Sequence, residues 1–305
     1  MLISIRRLDK QDANALDKLL SPHTAEAYYL RSNALASGLS YEGKALQAEY
    51  FGAFSNGQII GAIAYSWMHS ILLYASDLEC LPSLAQAIMP SIIKRGGVIE
   101  AILGLAPQVD AVIGGLRISK EAFRRWDRDG LFLLSLDSLS VRPLPEGFSI
   151  RLAAPQDRET LIGWRMAFNV EANGAASGDQ LKAKAEKEID LWLKSKDTFL
   201  LEDKGTPVSF CGIGGEVPEM AIIGPVWTPS EYRNRGYAKL VTGNGLKMRA
   251  ADKPLLSAAT LFASRPDAVR AYESLGFKRI ADWRLVLLKE DYRFCADVAD
   301  DRYHE

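Results

Sequence analysis

The chain has 305 residues, 48% hydrophobic and 25% charged, with 37 basic against 38 acidic side chains. That is the composition of a globular protein of about two domains, and its near-neutral charge excludes a nucleic-acid or acidic-membrane binder relying on bulk electrostatics. Cys80, Cys211 and Cys295 are too widely spaced for a disulfide framework or a zinc site, so no metal is expected and a reducing, cytoplasmic compartment fits.

From the N-terminus, MLISIRRLDKQD has no apolar run behind Arg6 and Arg7 and does not read as a signal peptide. Residues 50–76 carry no Asp, Glu, Lys or Arg, yet Asn56-Gly57 is a hairpin signal, and Gln58 and His69 interrupt the apolar surface. The segment is predicted to be sheet and not a membrane span.

The sequence repeats itself. SIRRLDKQDANAL (4–16) and SIRLAAPQDRETL (149–161) share six identities in thirteen positions at an offset of 145. Gly57 and Gly205 follow at an offset of 148, and RRWDRDGLF (124–132) parallels RAYESLGFK (270–278) at 146. The two prolines of VRPLPEGF (141–148) mark the seam. This predicts a first domain at 1–142, a second at 147–290 and a tail at 291–305. RRWDRD alternates in sign and reads as a solvated helix face.

In the second domain FSIRL reads as a strand, PQDRETLIGWRMAF as a helix and KAKAEKEIDLWLKS as an amphipathic helix. A hairpin follows over TFLLEDKGTPVSFCGIGGEV, then the strand MAIIGPVWTP and the helix YAKLVTGNGLKMRAA. The strand LLSAATLF, the short helix DAVRAYESL and the strands FKRIA and WRLVLLK complete it. The order predicts an α/β (α+β) fold, with a mixed, mostly antiparallel sheet flanked by helices.

Chemistry concentrates where a strand meets a helix through Arg233-Asn234-Arg235-Gly236-Tyr237-Ala238. A helix start offers unsatisfied N–H donors and the positive end of its dipole, and Gly236 lets the backbone approach a pyrophosphate. Arg233 and Arg235 add charge-assisted donors. The loop is answered 36 residues after Gly236 by Tyr272-Glu273-Ser274-Leu275-Gly276-Phe277.

With these elements, residues 147–290 resemble the GNAT superfamily of acyl-CoA-dependent N-acetyltransferases, whose Q/R-x-x-G-x-G/A loop matches Arg233 to Ala238. The resemblance implies two GNAT-like domains with acetyl-CoA as cosubstrate. It also implies that Val226, Trp227 and Thr228 meet the acetyl and pantetheine part, and that Asn234 to Lys239 surround the pyrophosphate. Where the family often has an Asn facing pantetheine, this chain has Arg265. Tyr272 is expected to protonate the departing thiolate. A splayed strand around Val226 is expected to supply the donor for the oxyanion.

The general base is open among Glu216, Glu219 and Glu171, and Trp227 is a candidate wall of the acceptor pocket. The acceptor is expected to be a small-molecule or peptide amine, with no nucleic-acid or membrane partner; a homodimer is left open. With no cysteine in the motifs, direct attack in a ternary complex is expected. A non-catalytic acyl-CoA sensor or scaffold is the alternative.

The N-terminal copy lacks a glycine between Gly61 and Gly96, where AIMPSI (87–92) stands in the place expected for the loop, and it has Trp126 in place of Tyr272. Indole N–H is no practical proton source. A degenerate copy without cofactor binding is expected.

Overall fold

The computed structural model describes residues 3–215 and 217–295, so Glu216 and residues 296–305 of the expected tail lie outside the described residues. The chain forms two compact units. One runs to Leu131 and resumes at Ala281; the other is Phe132–Ile280.

The first unit contains β1 (Ser4–Arg7), α1 (Ala13–Leu20), α2 (Tyr28–Ser37), β2 (Ala48–Ser55), β3 (Gln58–Ser66), β4 (Ser70–Ala75), α3 (Leu81–Lys94), β5 (Ala101–Leu105) and α4 (Ala106–Leu116). It also takes the start of β6 (Phe123–Ser135). The second contains β7 (Phe148–Leu152), α5 (Arg158–Asn173), α6 (Asp179–Ser195), β8 (Thr198–Asp203), β9 (Thr206–Gly214), β10 (Met220–Trp227), α7 (Tyr237–Asp252), β11 (Ala258–Ala263) and α8 (Pro266–Glu273). The last strand, β12 (Lys278–Leu288), starts in the second unit and ends in the first.

Each unit has a mixed sheet. In the first, β1 to β4 are antiparallel neighbours and β4 runs parallel to β5. In the second, β7 to β10 are antiparallel neighbours and β10 runs parallel to β11. Leu161, Ile162, Ala185 and Ile189, from α5 and α6, bury one face of the second sheet against Leu200, Phe210 and Trp227. Val241 and Leu246 of α7 cover the other face with Cys211, Ile213 and Leu261.

The repeat has a physical basis. Arg6 forks onto both oxygens of Asp12 at 2.7 and 2.6 Å, and Asp12 also accepts from Asp9 N–H at 3.0 Å. In the second unit Arg151 forks onto Asp157 at 2.6 and 2.9 Å, and Asp157 accepts from Ala154 N–H at 2.8 Å. Each pair ties the first strand to the turn opening the first helix. Leu16 and Leu161, repeated at the same offset, are both fully buried.

Expectations for RRWDRD, Trp126 and AIMPSI differ from the structure. RRWDRD lies on strand β6, where the two-residue period puts Arg125, Asp127 and Asp129 on one side, with Arg125 bonded to both carboxylates at 3.2 and 2.9 Å. Trp126 therefore ends no helix and is no counterpart of Tyr272; it stacks on Phe123 and under Arg284. AIMPSI (87–92) is inside α3, whose apolar spacing buries Ile88 and Ile92.

FKRIA and WRLVLLK form one strand, whose latter part pairs with β5 from Trp283↔Leu105 to Leu287↔Ala101. Val286 and Leu288 thus fill the first core. The chain consequently changes unit at 131/132 and 280/281, and residues 141–148 lie within the second unit.

Asp157 is held below the ordinary carboxylate range, chiefly by its hydrogen bonds from Arg151. A depressed folded pKa stabilises above the unfolded value and is lost as pH falls through the folded one. Asp157→Asn is expected to cost about 1–3 kcal/mol at neutral pH. In urea unfolding the gap to the parent should shrink as pH drops below about 4; a constant gap contradicts this.

Candidate functional site

The site begins where a ladder stops. β10 and β11 pair over only Met220↔Ala258, Ala221↔Ala259 and Ile222↔Thr260, although both strands run on. At the same level the pairing of β10 with β9 shifts: Ile223 faces Ile213 and Val226 faces Cys211, so two residues of β10 stand against Gly212 alone. This bulge bends β10 away from β11. Gly212 permits it, because a Cβ there would meet Gly224 O at 2.7 Å.

Beyond β10, the chain reaches α7 through two left-handed residues, Asn234 at φ 62° and Gly236 at φ 79°. A Cβ on Gly236 would meet no atom within 4 Å, so glycine is required by the backbone angle and not by crowding. No side chain caps α7, and the amides of Asn234 to Lys239 have no hydrogen-bond acceptor among the described residues; the first bond of the helix is Leu240 N–H to Gly236 O at 3.1 Å. An uncapped helix start in this form is a ready anion cradle.

The expected cofactor-binding side chains divide. Tyr237 packs into the core against Phe148, leaving only its amide to the cradle, and Ala238 keeps the first turn slim. Arg235 donates to Glu231 O at 3.1 Å and lies over Tyr232. Arg233 turns back toward β10: it donates to Thr228 O at 3.0 Å and to Glu171 at 2.8 Å, with its guanidinium 4.7 Å from the Trp227 ring.

Arg265, at the start of α8, donates to the other oxygen of Glu171 at 2.8 Å and to Asp267. Glu171 therefore joins the end of α5 to the far ends of β10 and β11. Hydrogen bonds, first from Arg233, hold its carboxyl below the ordinary range, which makes it a weak base.

Trp227 and Val226 point to opposite faces, as the two-residue period requires. Trp227 is buried on the α5 side with Phe168 edge-on, and its indole nitrogen has no hydrogen-bond partner among the described residues. Thr228 is fixed through its hydroxyl to Ser209 at 2.8 Å.

Tyr272 packs beside Phe277 on the α7 side of the sheet, and burial raises its phenol well above the ordinary value, keeping it protonated. Cys211 faces Val226 across the bulge, but burial pushes its thiol up to about 12, so it is no nucleophile near neutral pH.

Glu219 is not at the site. It precedes β10 and its carbonyl accepts from Ser257 and Ala258, eight residues before Trp227 and so roughly 26 Å away along an extended strand. Among the described residues no cluster of His, Cys, Asp or Glu could hold a metal, and no helix is long and apolar enough to cross a membrane.

No family model and no curated protein sequence matches this chain. Solved structures do. A tandem GNAT protein from the clavulanic acid biosynthesis pathway is 10% identical with a TM-score of 0.54, covering 93% of this chain and 98% of its own. A GCN5-related N-acetyltransferase from Sphaerobacter thermophilus is 16% identical with a TM-score of 0.60, covering 93% and 94%. A GCN5-related N-acetyltransferase-like protein from Streptococcus suis is 16% identical with a TM-score of 0.53, covering 92% and 99%.

The chain has a tandem GNAT fold. Each unit is one copy, and the first shows how the same splay is closed. β4 and β5 also pair over three residues, ending at Leu72↔Leu103. Three residues on, Ala75 donates to Gln108 Oε1 at 3.1 Å and accepts from its Nε2 at 2.7 Å. Gln108, itself buried, takes both main-chain groups at the end of β4.

The loop of the first GNAT copy is Ser76–Cys80, where Asp77 accepts from Glu79 N–H at 3.0 Å, so acidic side chains stand where the second copy has Arg233 and Arg235. The sequence reading missed Gln108. It lies five residues past Leu103, the last residue of β5 paired with β4, as Arg265 lies five past Thr260, the last of β11 paired with β10; that count needs the pairing and is not visible in the sequence.

Gln108→Leu keeps the volume but leaves Ala75 N–H and C=O unpaired. It is expected to destabilise the protein by about 1–3 kcal/mol, read as a lower urea midpoint; an unchanged midpoint counts against the plug.

Proposed function

We propose that the second unit is an acyl-CoA-dependent N-acyltransferase that takes acetyl-CoA and transfers its acetyl group to a primary amine, either a small molecule or a peptide. The observation carrying this reading is the conjunction of an open strand splay with an uncapped helix start beside it, the arrangement a pantetheine amide and a pyrophosphate require. The related folds named above support the kind of chemistry; the donor and acceptor rest on this site.

Asn234 to Lys239 offer main-chain N–H groups to the pyrophosphate, and Gly236 sets their direction. Around Val226 the bulge frees β10 from β11, so main-chain groups there can pair with pantetheine and stabilise an oxyanion. The amine nitrogen attacks the thioester carbon from the Trp227 side, with direct transfer, since Cys211 stays protonated.

When the carbon–sulfur bond breaks, Tyr272 gives its proton to the departing sulfur and recovers one through water from the acylated nitrogen. Its raised pKa keeps the phenol protonated but makes it a weaker acid than an ordinary tyrosine, so its O–H acts chiefly as a donor to the charge growing on the sulfur. Glu171, committed to Arg233 and Arg265, positions the loop and does not accept the proton. Trp227 and Phe168 wall the acceptor side.

One observation favours a second reading, an acyl-CoA sensor without turnover: the site's Glu171 carboxylate is spent on two arginines.

Calorimetry with acetyl-CoA and thiol release across a panel of primary amines test both readings. Gly236→Val forces a branched side chain into a left-handed backbone at about 1–2 kcal/mol of strain and should weaken acetyl-CoA binding at least about tenfold. Tyr272→Phe should keep binding and lower kcat by about 10²-fold or more. Tight binding with no turnover on any amine selects the sensor, and no binding at all ends both readings.

A further inference from the structure

Five arginines of the second unit that are at least partly buried have a carboxylate partner: Arg151 with Asp157, Arg158 with Asp190, Arg165 with Glu188, Arg233 with Glu171, and Arg249 with Asp197. Lys239 is the exception. It sits in the first turn of α7, partly buried, and makes no hydrogen bond or ion pair among the described residues. An ammonium without a counter-charge at a groove is a donor free to meet an incoming anion.

A second free cation shares that place. Ser140 N–H donates to Leu275 O at 3.0 Å, and Val141 seats on α7, where a Cβ on Gly243 would lie 2.9 Å from its Cγ2. The segment after β6 is thereby held across α7 and the end of α8. Between them lies a groove of about 140 Å³ lined by Ser140, Val141, Arg142, Lys239, Leu240 and Ser274 among others. That is about five times the volume a water molecule takes in the liquid.

No carboxylate lines the groove, and Arg142, like Lys239, has no partner among the described residues. The Ser274 proton is spent on Ala271 O at 2.7 Å, so Ser140 is the neutral donor available.

Two cations of different reach and one hydroxyl suit a tetrahedral dianion better than a carboxylate. The position narrows its source. Lys239 lies three residues past Gly236, about 4.5 Å along the helix axis, so the groove flanks the pyrophosphate cradle at the distance of a sugar's neighbouring substituent. We propose that this groove binds a phosphate monoester, the one carried on the ribose of coenzyme A, and that Arg142 is its specificity-determining residue. This rests on the acyl-CoA reading above.

The test is calorimetry on the full chain with coenzyme A and with 3′-dephospho-coenzyme A, each with inorganic phosphate as competitor. The parent protein should bind coenzyme A about tenfold more tightly, by an increment that shrinks with added salt. Arg142→Ala should lose that increment while its affinity for the dephospho compound stays as in the parent, and Arg142→Lys should keep part of it. Inorganic phosphate should weaken coenzyme A and leave the dephospho compound alone.

Equal affinity of the parent for both compounds, or full discrimination by Arg142→Ala, overturns the proposal and leaves the acyl-CoA reading standing. Binding of neither compound overturns both.

Discussion

Everything at the site follows from a parallel strand pair that stops after three residues. β10 leaves β11 at Ile222 because the bulge opposite Gly212 turns it aside, and the gap makes room for an extended chain between two strands. The ladder's missing hydrogen bonds leave main-chain groups of the two strands facing that gap. Main-chain amides cannot be removed by substitution, and the side chains around the rim of the gap are Arg233, Arg265 and Glu171. Those three form one neutralising bracket with Asp267, which keeps two guanidinium groups near the gap without leaving them as competing anion traps.

The two units answer the same geometric problem in opposite ways. A splayed strand end leaves main-chain donors and acceptors to be satisfied by something, and a buried one left bare would cost the full desolvation penalty. In the first unit Gln108 satisfies Ala75 from within the fold, and Asp77 caps the turn beside it. In the second unit the corresponding position is the outward-reaching Arg265, and the helix start is uncapped. The first copy thus satisfies its own backbone at the splay, and the second leaves the corresponding groups without a side-chain partner among the described residues.

The repeat was legible because the duplicated residues carry specific work: Arg6 and Asp12, Arg151 and Asp157 make the same fork, and Leu16 and Leu161 fill the same buried place. Most second-unit elements were legible from apolar periodicity, and the loop from Gly236 because a positive φ leaves a residue-type signature. RRWDRD was misread because charges alternating in sign suit a helix face or a strand side equally, and only the partner strand decides.

Glu219 shows what the sequence leaves out about direction: it precedes β10, and the far end of that strand at Trp227 is near it in sequence and distant along the strand. The fate of the last strand was not legible at all. Val286 and Leu288 are apolar enough for either core, and which sheet edge they complete is a tertiary matter.

That strand exchange bears on how the protein comes into being. Residues 101–105 await as neighbour a segment made some 180 residues later, so the edge of β5 stays bare while the whole second unit is being synthesised. At ribosomal speeds of about 5–20 residues per second that interval is on the order of ten seconds or more. A nascent chain therefore carries an open β-edge long after its first helices have formed, a natural docking point for a chaperone and a barrier to expressing either half by cutting between them.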